Sequence, residues 1–507
     1  MKGALLVAGT HSDAGKSVVT AGICRWLARQ GVRVAPFKAQ NMALNSVVTP
    51  DGAEIGRAQA VQAAAAGIEP EAAMNPILIK PSGERHSQVV VMGKPYADAD
   101  ARSYRELKHE LRPLVATALA GLRERFDVVV CEGAGSPAEI NLRDADLTNM
   151  WLAREAGIAT IVVADIDRGG VFASLFGTLA LLEPEDQAHV AGFVVNKFRG
   201  DASILEPGLE ALARRSGRPT LGVLPYVDDL WLDVEDSLAI EGRRAEAPTS
   251  GDTLDVAVLR LRWMSNFTDV DALAAEPGVR VRFTTSRADL ERADLVVVPG
   301  TKATVEDLER LRAAGLEAAL RRRAADGLPI LGICGGYQLL GEWIEDEVES
   351  GRGGVAGLGL LPVRTVFAAD KLLRRRRGRS APLGAAAGGY EIRHGRVERR
   401  AGEALLTADD GEPDGCLRGA VIGTSWHGLL EHDDFRRAVL ARVAASRGRR
   451  FAPGTRPFAE QRIARHDALA DLIAGHVDGE RLAALIEDGV PAGLPTIETE
   501  VRQCCAS

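Results

Sequence analysis

A short apolar run at residues 4–7 breaks directly into Gly9-Thr10-His11-Ser12-Asp13-Ala14-Gly15-Lys16-Ser17, and a helical pattern follows at once. Strand, glycine-rich turn and helix in that order begin a βα unit, which needs a parallel partner strand and a helix on each face. The same alternation recurs at 32–37, 127–131, 161–164, 192–196 and 221–224. These runs are rich in Val and Ile and do not alternate with polar residues, as strands covered on both faces require. The first part of the chain is therefore expected to be a doubly wound parallel sheet.

With 507 residues the chain is too long for one hydrophobic core. The segment 236–252 loses periodicity and gains charge, Pro, Ser and Gly, and reads as a linker between a domain at 1–235 and a second one at 253–445. The second domain again shows α/β alternation, at 255–261, 281–283, 295–298 and 330–333, and becomes richer in strands at 389–392 and 421–426. Residues 446–507 carry helical spacing of apolar residues and are expected to form a helical tail.

Composition narrows the function classes. The chain is 46% hydrophobic and 26% charged with a formal net charge of -8, which argues against a nucleic-acid partner. No apolar run approaches the roughly 20 residues of a membrane span, and the first strand lacks the pattern of a cleaved leader. A cytoplasmic enzyme with a small-molecule substrate is expected. The cysteines at 24, 131, 334, 416, 504 and 505 form no C-x-x-C pair, so neither a disulfide framework nor a structural zinc site is expected. The terminal Cys504-Cys505-Ala506-Ser507 is a poor prenylation box, because Cys505 is not aliphatic and no polybasic anchor lies close before it.

Gly9, Thr10, Asp13, Ala14, Gly15, Lys16 and Ser17 stand where a loop wraps phosphates. Backbone N–H groups and the helix N-terminus stabilise phosphate oxygens, Lys16 adds a point charge, and Ser17 offers a hydroxyl to Mg²⁺. The loop has one residue more than the standard G-x-x-x-x-G-K-[ST] spacing and resembles the dethiobiotin synthetase variety, in which ATP activates a carboxylate. Glu132, at the end of the DVVVC run, is the natural metal-binding carboxylate. Resemblance to dethiobiotin synthetase adds Glu54, in the helix-like stretch EIGRAQAVQ, as a second Mg²⁺ partner and Asn196 as a contact to the ATP base. Lys38 ends the second strand, placed to neutralise a γ-phosphate or a substrate carboxylate.

Ile333-Cys334-Gly335-Gly336 puts a cysteine between an apolar strand and a helix, the setting of a nucleophile elbow. A helix N-terminus and a nearby imidazole favour the thiolate there, and His427, ending a later strand of the same domain, is the candidate base. These residues resemble a class I glutamine amidotransferase. The resemblance implies that Cys334 attacks the side-chain amide of glutamine, that His427 transfers protons, and that N–H groups of Gly300 and Gly335 form the oxyanion hole. Most of that class carry Glu two positions after the histidine, whereas Leu429 stands here. Glu431 is the nearest alternative for orienting the ring.

The stretch Pro36-Phe37-Lys38-Ala39-Gln40-Asn41-Met42-Ala43-Leu44-Asn45-Ser46, with Glu54 to Ala60 and Met74 to Pro81, resembles the cobyric acid synthases of the cobalamin pathway over roughly residues 3 to 440. That branch also lacks the Glu after the histidine. The resemblance implies MgATP- and glutamine-dependent amidation of the b, d, e and g carboxylates of adenosylcobyrinic acid a,c-diamide, a corrinoid. Lys38, Gln40, Asn41 and Asn45 would meet its carboxylates or the phosphate, since amides and cations satisfy carboxylate oxygens. Two alternatives stand beside it: the cobyrinic acid a,c-diamide synthase, and a P-loop switch ATPase fused to an inactive glutaminase-like domain. The switch is disfavoured because His11 occupies the place of its signature lysine. Arg374 to Arg377 read as a solvated basic loop, and His394 as structural.

Overall fold

The computed structural model describes residues 1–84, 86–227 and 253–497. The expected linker at 236–252 and the terminal cysteines lie outside the described residues. The first sheet has strand order Thr220–Pro225, Val190–Phe198, Ala159–Asp165, Gly3–Gly9, Val128–Glu132, Val34–Phe37, all parallel. The chain starts at the centre of this sheet and winds outward both ways. Strand Ala159–Asp165 is buried throughout, because helices cover both faces, which explains why its apolar residues do not alternate.

One departure from the expected pattern matters. Glu54 is not helical: it opens a short strand, Glu54–Gly56, paired antiparallel with Ser46–Val48, and the helix Arg57–Ala65 begins only afterwards. The terminal helices pack on the first domain. Helices Phe458–His476 and Gly479–Glu487 return to the first sheet, where Leu472, Ile473, Leu482, Leu485 and Ile486 join one core cluster with Leu5, Val7, Val19 and Ile23. Arg25 donates to Asp467 (2.9 Å), and the N–H of Asp478 to the carbonyl of Leu221 (2.7 Å).

The second sheet runs Val279–Thr284, Leu254–Leu259, Leu295–Val298, Ile330–Ile333, Val421–Thr424, all parallel, with Cys416–Arg418 antiparallel at its edge. Beside it, Val363–Ser380 and Ala385–Arg399 form a long antiparallel pair. The four arginines lie on the first of these strands, not in a loop. Arg374 and Arg376 donate to Glu391 (2.6 and 2.8 Å), whereas Arg375 points the other way, to the carbonyl of Val48 (3.1 Å) and to Glu69. Period-2 geometry sorts the run onto two faces. Of the described helices, none is long and apolar enough to cross a membrane.

Candidate active sites

The loop from Gly9 to Ser17 joins the central strand to helix Lys16–Arg29. Gly15 has φ 104°, and a Cβ there would stand 2.0 Å from the Asn196 amide nitrogen, so no other residue fits. Lys16 Nζ donates to the carbonyls of His11 (2.9 Å) and Gly135 (3.1 Å), which ties the loop to the turn after Glu132. The Asn196 amide donates to the carbonyl of Ala14 (3.0 Å), so in this structure it shapes the loop. Thr10 Oγ1 is buried without a hydrogen-bond partner, and a phosphate oxygen would satisfy it.

Glu132 ends its strand almost fully buried. It accepts from Ser17 Oγ (2.9 Å), Lys38 Nζ (3.0 Å) and Gln62 Nε2. Burial alone would raise its pKa. Lys38, the Gln62 hydrogen bond and Lys16 outweigh burial and hold the carboxyl below the usual range. Gln62 was not singled out from the sequence; its signal is the helix Arg57–Ala65, on which it faces the sheet.

The structure does not bring Glu54 to this group. Glu54 is fully buried, and its oxygens accept from Lys80, Lys371 and Ser46. Those cations overcome the burial cost and lower its pKa, so the carboxylate is an anchor between domains rather than a second metal ligand. Lys371, itself buried, is pulled down to about 8, chiefly by burial against the opposing pull of Glu54. Among the described residues no cluster of three or more His, Cys, Asp or Glu could hold a metal ion. An ion on the Ser17 hydroxyl and the Glu132 carboxylate, completed by phosphate oxygens, does not need one.

The expected substrate contacts divide. Gln40 accepts from the Tyr104 hydroxyl (2.7 Å) and stays partly exposed. Asn41 is buried and donates to Gln59 (2.9 Å). Asn45 has no exposed surface, and its side-chain oxygen accepts the N–H of Phe267, in the second domain, at 3.1 Å. Asn41 and Asn45 are thus packing and inter-domain groups, a correction to their reading as ligands of a carboxylate.

In the second domain Cys334 sits between strand Ile330–Ile333 and helix Gly335–Leu340 with φ 50° and ψ −108°. Positive φ is costly for a non-glycine residue and fits the sharp turn that presents a nucleophile. Gly335 and Gly336 allow the helix to approach the neighbouring strand end: a Cβ on Gly335 would lie 2.8 Å from the Thr301 nitrogen. Gly300 is equally constrained, since its Cβ would stand 2.9 Å from His427 Cε1 and 3.0 Å from the Ser265 carbonyl. The structure therefore brings Cys334, His427, Gly300 and Gly335 together. Cys334, Gly335 and Thr301 line one pocket with Lys80 of the first domain and with Lys371 and His394. His394 is buried with Nδ1 3.0 Å from the Ala368 carbonyl, in keeping with a structural role.

The carboxylate in contact with His427 belongs to a residue the sequence reading missed. Asp269 Oδ2 lies 2.7 Å from His427 Nδ1, and Asp269 Oδ1 accepts the N–H of Gly428 at 2.7 Å. Glu431 instead pairs with Arg57 and Arg462. The available signal was position: Asp269 follows the first strand of the second sheet, at the carboxyl end where α/β proteins place functional groups. Burial lowers the His427 pKa, but Asp269 and then Cys334 overcome it and raise it to about 10. An imidazolium beside a thiolate is the pair that an attacking cysteine requires.

The comparisons with known proteins match this arrangement. Residues 5–239 match the CobQ/CobB/MinD/ParA nucleotide binding domain, and residues 255–435 match the CobB/CobQ-like glutamine amidotransferase domain. The chain is 59% identical to the cobyric acid synthase of Frankia casuarinae over 98% of its own length and 99% of that relative. Identity to the cobyric acid synthase of Streptomyces avermitilis is also 59%, with 98% and 99% covered. For that of Rhodococcus jostii it is 57%, with 98% of each covered.

Proposed function

Since the chain belongs to the cobyric acid synthase family, we propose that it amidates the b, d, e and g carboxylates of adenosylcobyrinic acid a,c-diamide, using ATP and glutamine in the cytoplasm, where both are supplied. The observation that carries this reading is the pairing, in one chain, of a carboxylate-activating phosphate loop with a cysteine–histidine site.

Cys334 thiolate attacks the side-chain amide carbon of glutamine, and the backbone N–H groups of Gly300 and Gly335 stabilise the oxyanion. His427 gives a proton to the leaving nitrogen, ammonia departs, and water activated by His427 cleaves the thioester to glutamate. In the first domain the loop and Lys16 hold the phosphates of ATP. Ser17 and Glu132 would hold Mg²⁺, which when bound draws charge from the phosphate oxygens. A corrin carboxylate oxygen takes the γ-phosphoryl group with loss of ADP. Ammonia then attacks the acyl carbon, phosphate leaves, and an amide remains. The charge balance at Glu132, with Lys38 and Lys16 beside it, stabilises the anionic transfer.

Mass spectrometry of the a,c-diamide incubated with the protein, MgATP and glutamine tests this. A carboxyl-to-amide shift at each of the b, d, e and g positions is the expected result. Amidation of cobyrinic acid instead, with the a,c-diamide untouched, would assign the chain to the a and c positions, and no shift with either would refute the ligase reading.

A further inference from the structure

Asp269 does not stand on the sheet that carries Cys334 and His427. It stands on the loop after strand Leu254–Leu259, which runs through Met264–Ser265 and the turn Phe267–Val270. Met264–Ser265 pairs with Gly300–Thr301, the strand of the oxyanion glycine. One loop therefore supports both the oxyanion strand and the histidine.

That loop is gripped from the other domain. Ser46 donates its backbone N–H to the side chain of Asn266 (2.8 Å), and Phe267 donates its backbone N–H to the side chain of Asn45 (3.1 Å). Each asparagine thus caps the other segment's backbone. Asn266 holds φ 49°, a conformation Asn tolerates better than most residues, and all four residues are buried. The same first-domain segment reaches the far side of the histidine. Tyr390, stacked on His427 with centroids 5.7 Å apart, packs in a cluster with Val47, Val48 and Ile55.

We propose that Asp269 is the positioning residue of the glutaminase and that Asn45 of the synthetase domain holds its loop in place, so that the ammonia-producing site is complete only while the two domains are clasped. The inference rests on the ligase reading for its biological meaning, but its chemistry concerns the glutaminase alone. The groups facing His427 are Asp269, Cys334 and Tyr390, with Arg57 and Glu431 beyond Tyr390. Asp269 is the acceptor on Nδ1, so it fixes the ring orientation that turns Nε2 to the thiol.

The test compares full-length wild type, Asp269→Asn and Asn45→Ala. Three readouts are taken: glutamate release from glutamine, amidation with ammonium chloride, and the pH profile of Cys334 alkylation by iodoacetamide. For Asp269→Asn, kcat for glutamate release should fall by about 10²- to 10⁴-fold with KM little changed, by analogy with removal of a triad carboxylate. Its alkylation profile should move to higher pH, which loss of packing alone would not produce. For Asn45→Ala a fall of roughly tenfold is expected, the scale of one lost hydrogen bond. Ammonia-driven amidation should persist in both variants. Unchanged glutamate release in Asp269→Asn, or an equal fall of ammonia- and glutamine-driven rates in Asn45→Ala, overturns the proposal. If the wild type amidates no corrinoid at all, the ligase reading fails, while glutamate release and alkylation still judge this one.

Discussion

The two sites solve the same problem, holding a charged group at the carboxyl end of a parallel strand, with different degrees of independence. At the phosphate site, Glu132 is satisfied by Ser17, Lys38 and Gln62, all from its own domain. At the ammonia site, the carboxylate that holds His427 sits on a loop whose backbone is capped by the other domain. Between them, Lys371 from the second domain and Lys80 from the first share the buried Glu54. The contrast teaches that a glutaminase serving one synthetase can be built to work only in its company, which limits wasteful release of ammonia.

The largest effects should come from the self-contained site. Lys16→Ala is expected to lower both glutamine- and ammonia-driven amidation by at least about 10³-fold, the scale of losing a preorganised charge on the transferring group. Retention of ammonia-driven activity would move phosphate activation elsewhere. The buried junction comes next. Glu54→Gln leaves Lys80 and Lys371 without their shared carboxylate, and breaking such a pair should cost roughly 3–5 kcal/mol of stability, read by denaturant unfolding. A value near zero would mean that the junction relaxes freely and that the domains are not clasped there.

The pH dependence sharpens the contrast in sign. The His427 pKa is raised from 6.5 to about 10 in the fold, so its stabilisation is fully present below pH 6.5 and fades as pH rises toward 10. Glu54 and Glu132 are depressed below 4.5, so theirs is present above pH 4.5 and is lost as acid protonates them. Melting curves across pH should show Asp269→Asn differing most from wild type at about pH 6.5 and just below, and converging with it at alkaline pH. Glu54→Gln should converge with wild type in acid instead. The smallest effect is expected at Glu431. Because it pairs with Arg57 and Arg462 rather than with His427, Glu431→Gln should leave glutamate release within about fivefold, as for a partly exposed ion pair.

The same contrast explains what the sequence revealed. The loop from Gly9 to Ser17 is contiguous, and its strand, turn and helix follow one another, so its local structure was legible in the sequence. Cys334 and His427 each carry a local signal, an elbow between strand and helix and a strand end. Asp269 carries only the weak signal of following a strand end, since its meaning comes from a contact with a residue 158 positions away. Glu54 was misplaced because an apolar-spaced stretch at a helix start looks the same whether its first residues are helical or extended. Its two lysine partners stand 26 and 317 positions away in sequence. The arginine run concealed a strand because both its faces are charged, which removes the alternation on which strand recognition depends. Asn41 and Asn45 were read as ligand groups because amides can satisfy carboxylate oxygens; here they bond buried backbone and side-chain groups instead.

The most direct measurement is the rate of amide formation by Cys334→Ser protein with glutamine and, separately, with ammonium as nitrogen source. No product is expected from glutamine and near wild-type product from ammonium, because the serine variant lacks only the thiolate and keeps the synthetase site intact. Product from glutamine at the wild-type rate would contradict the assignment of Cys334, and loss of both activities would contradict the independence of the phosphate site.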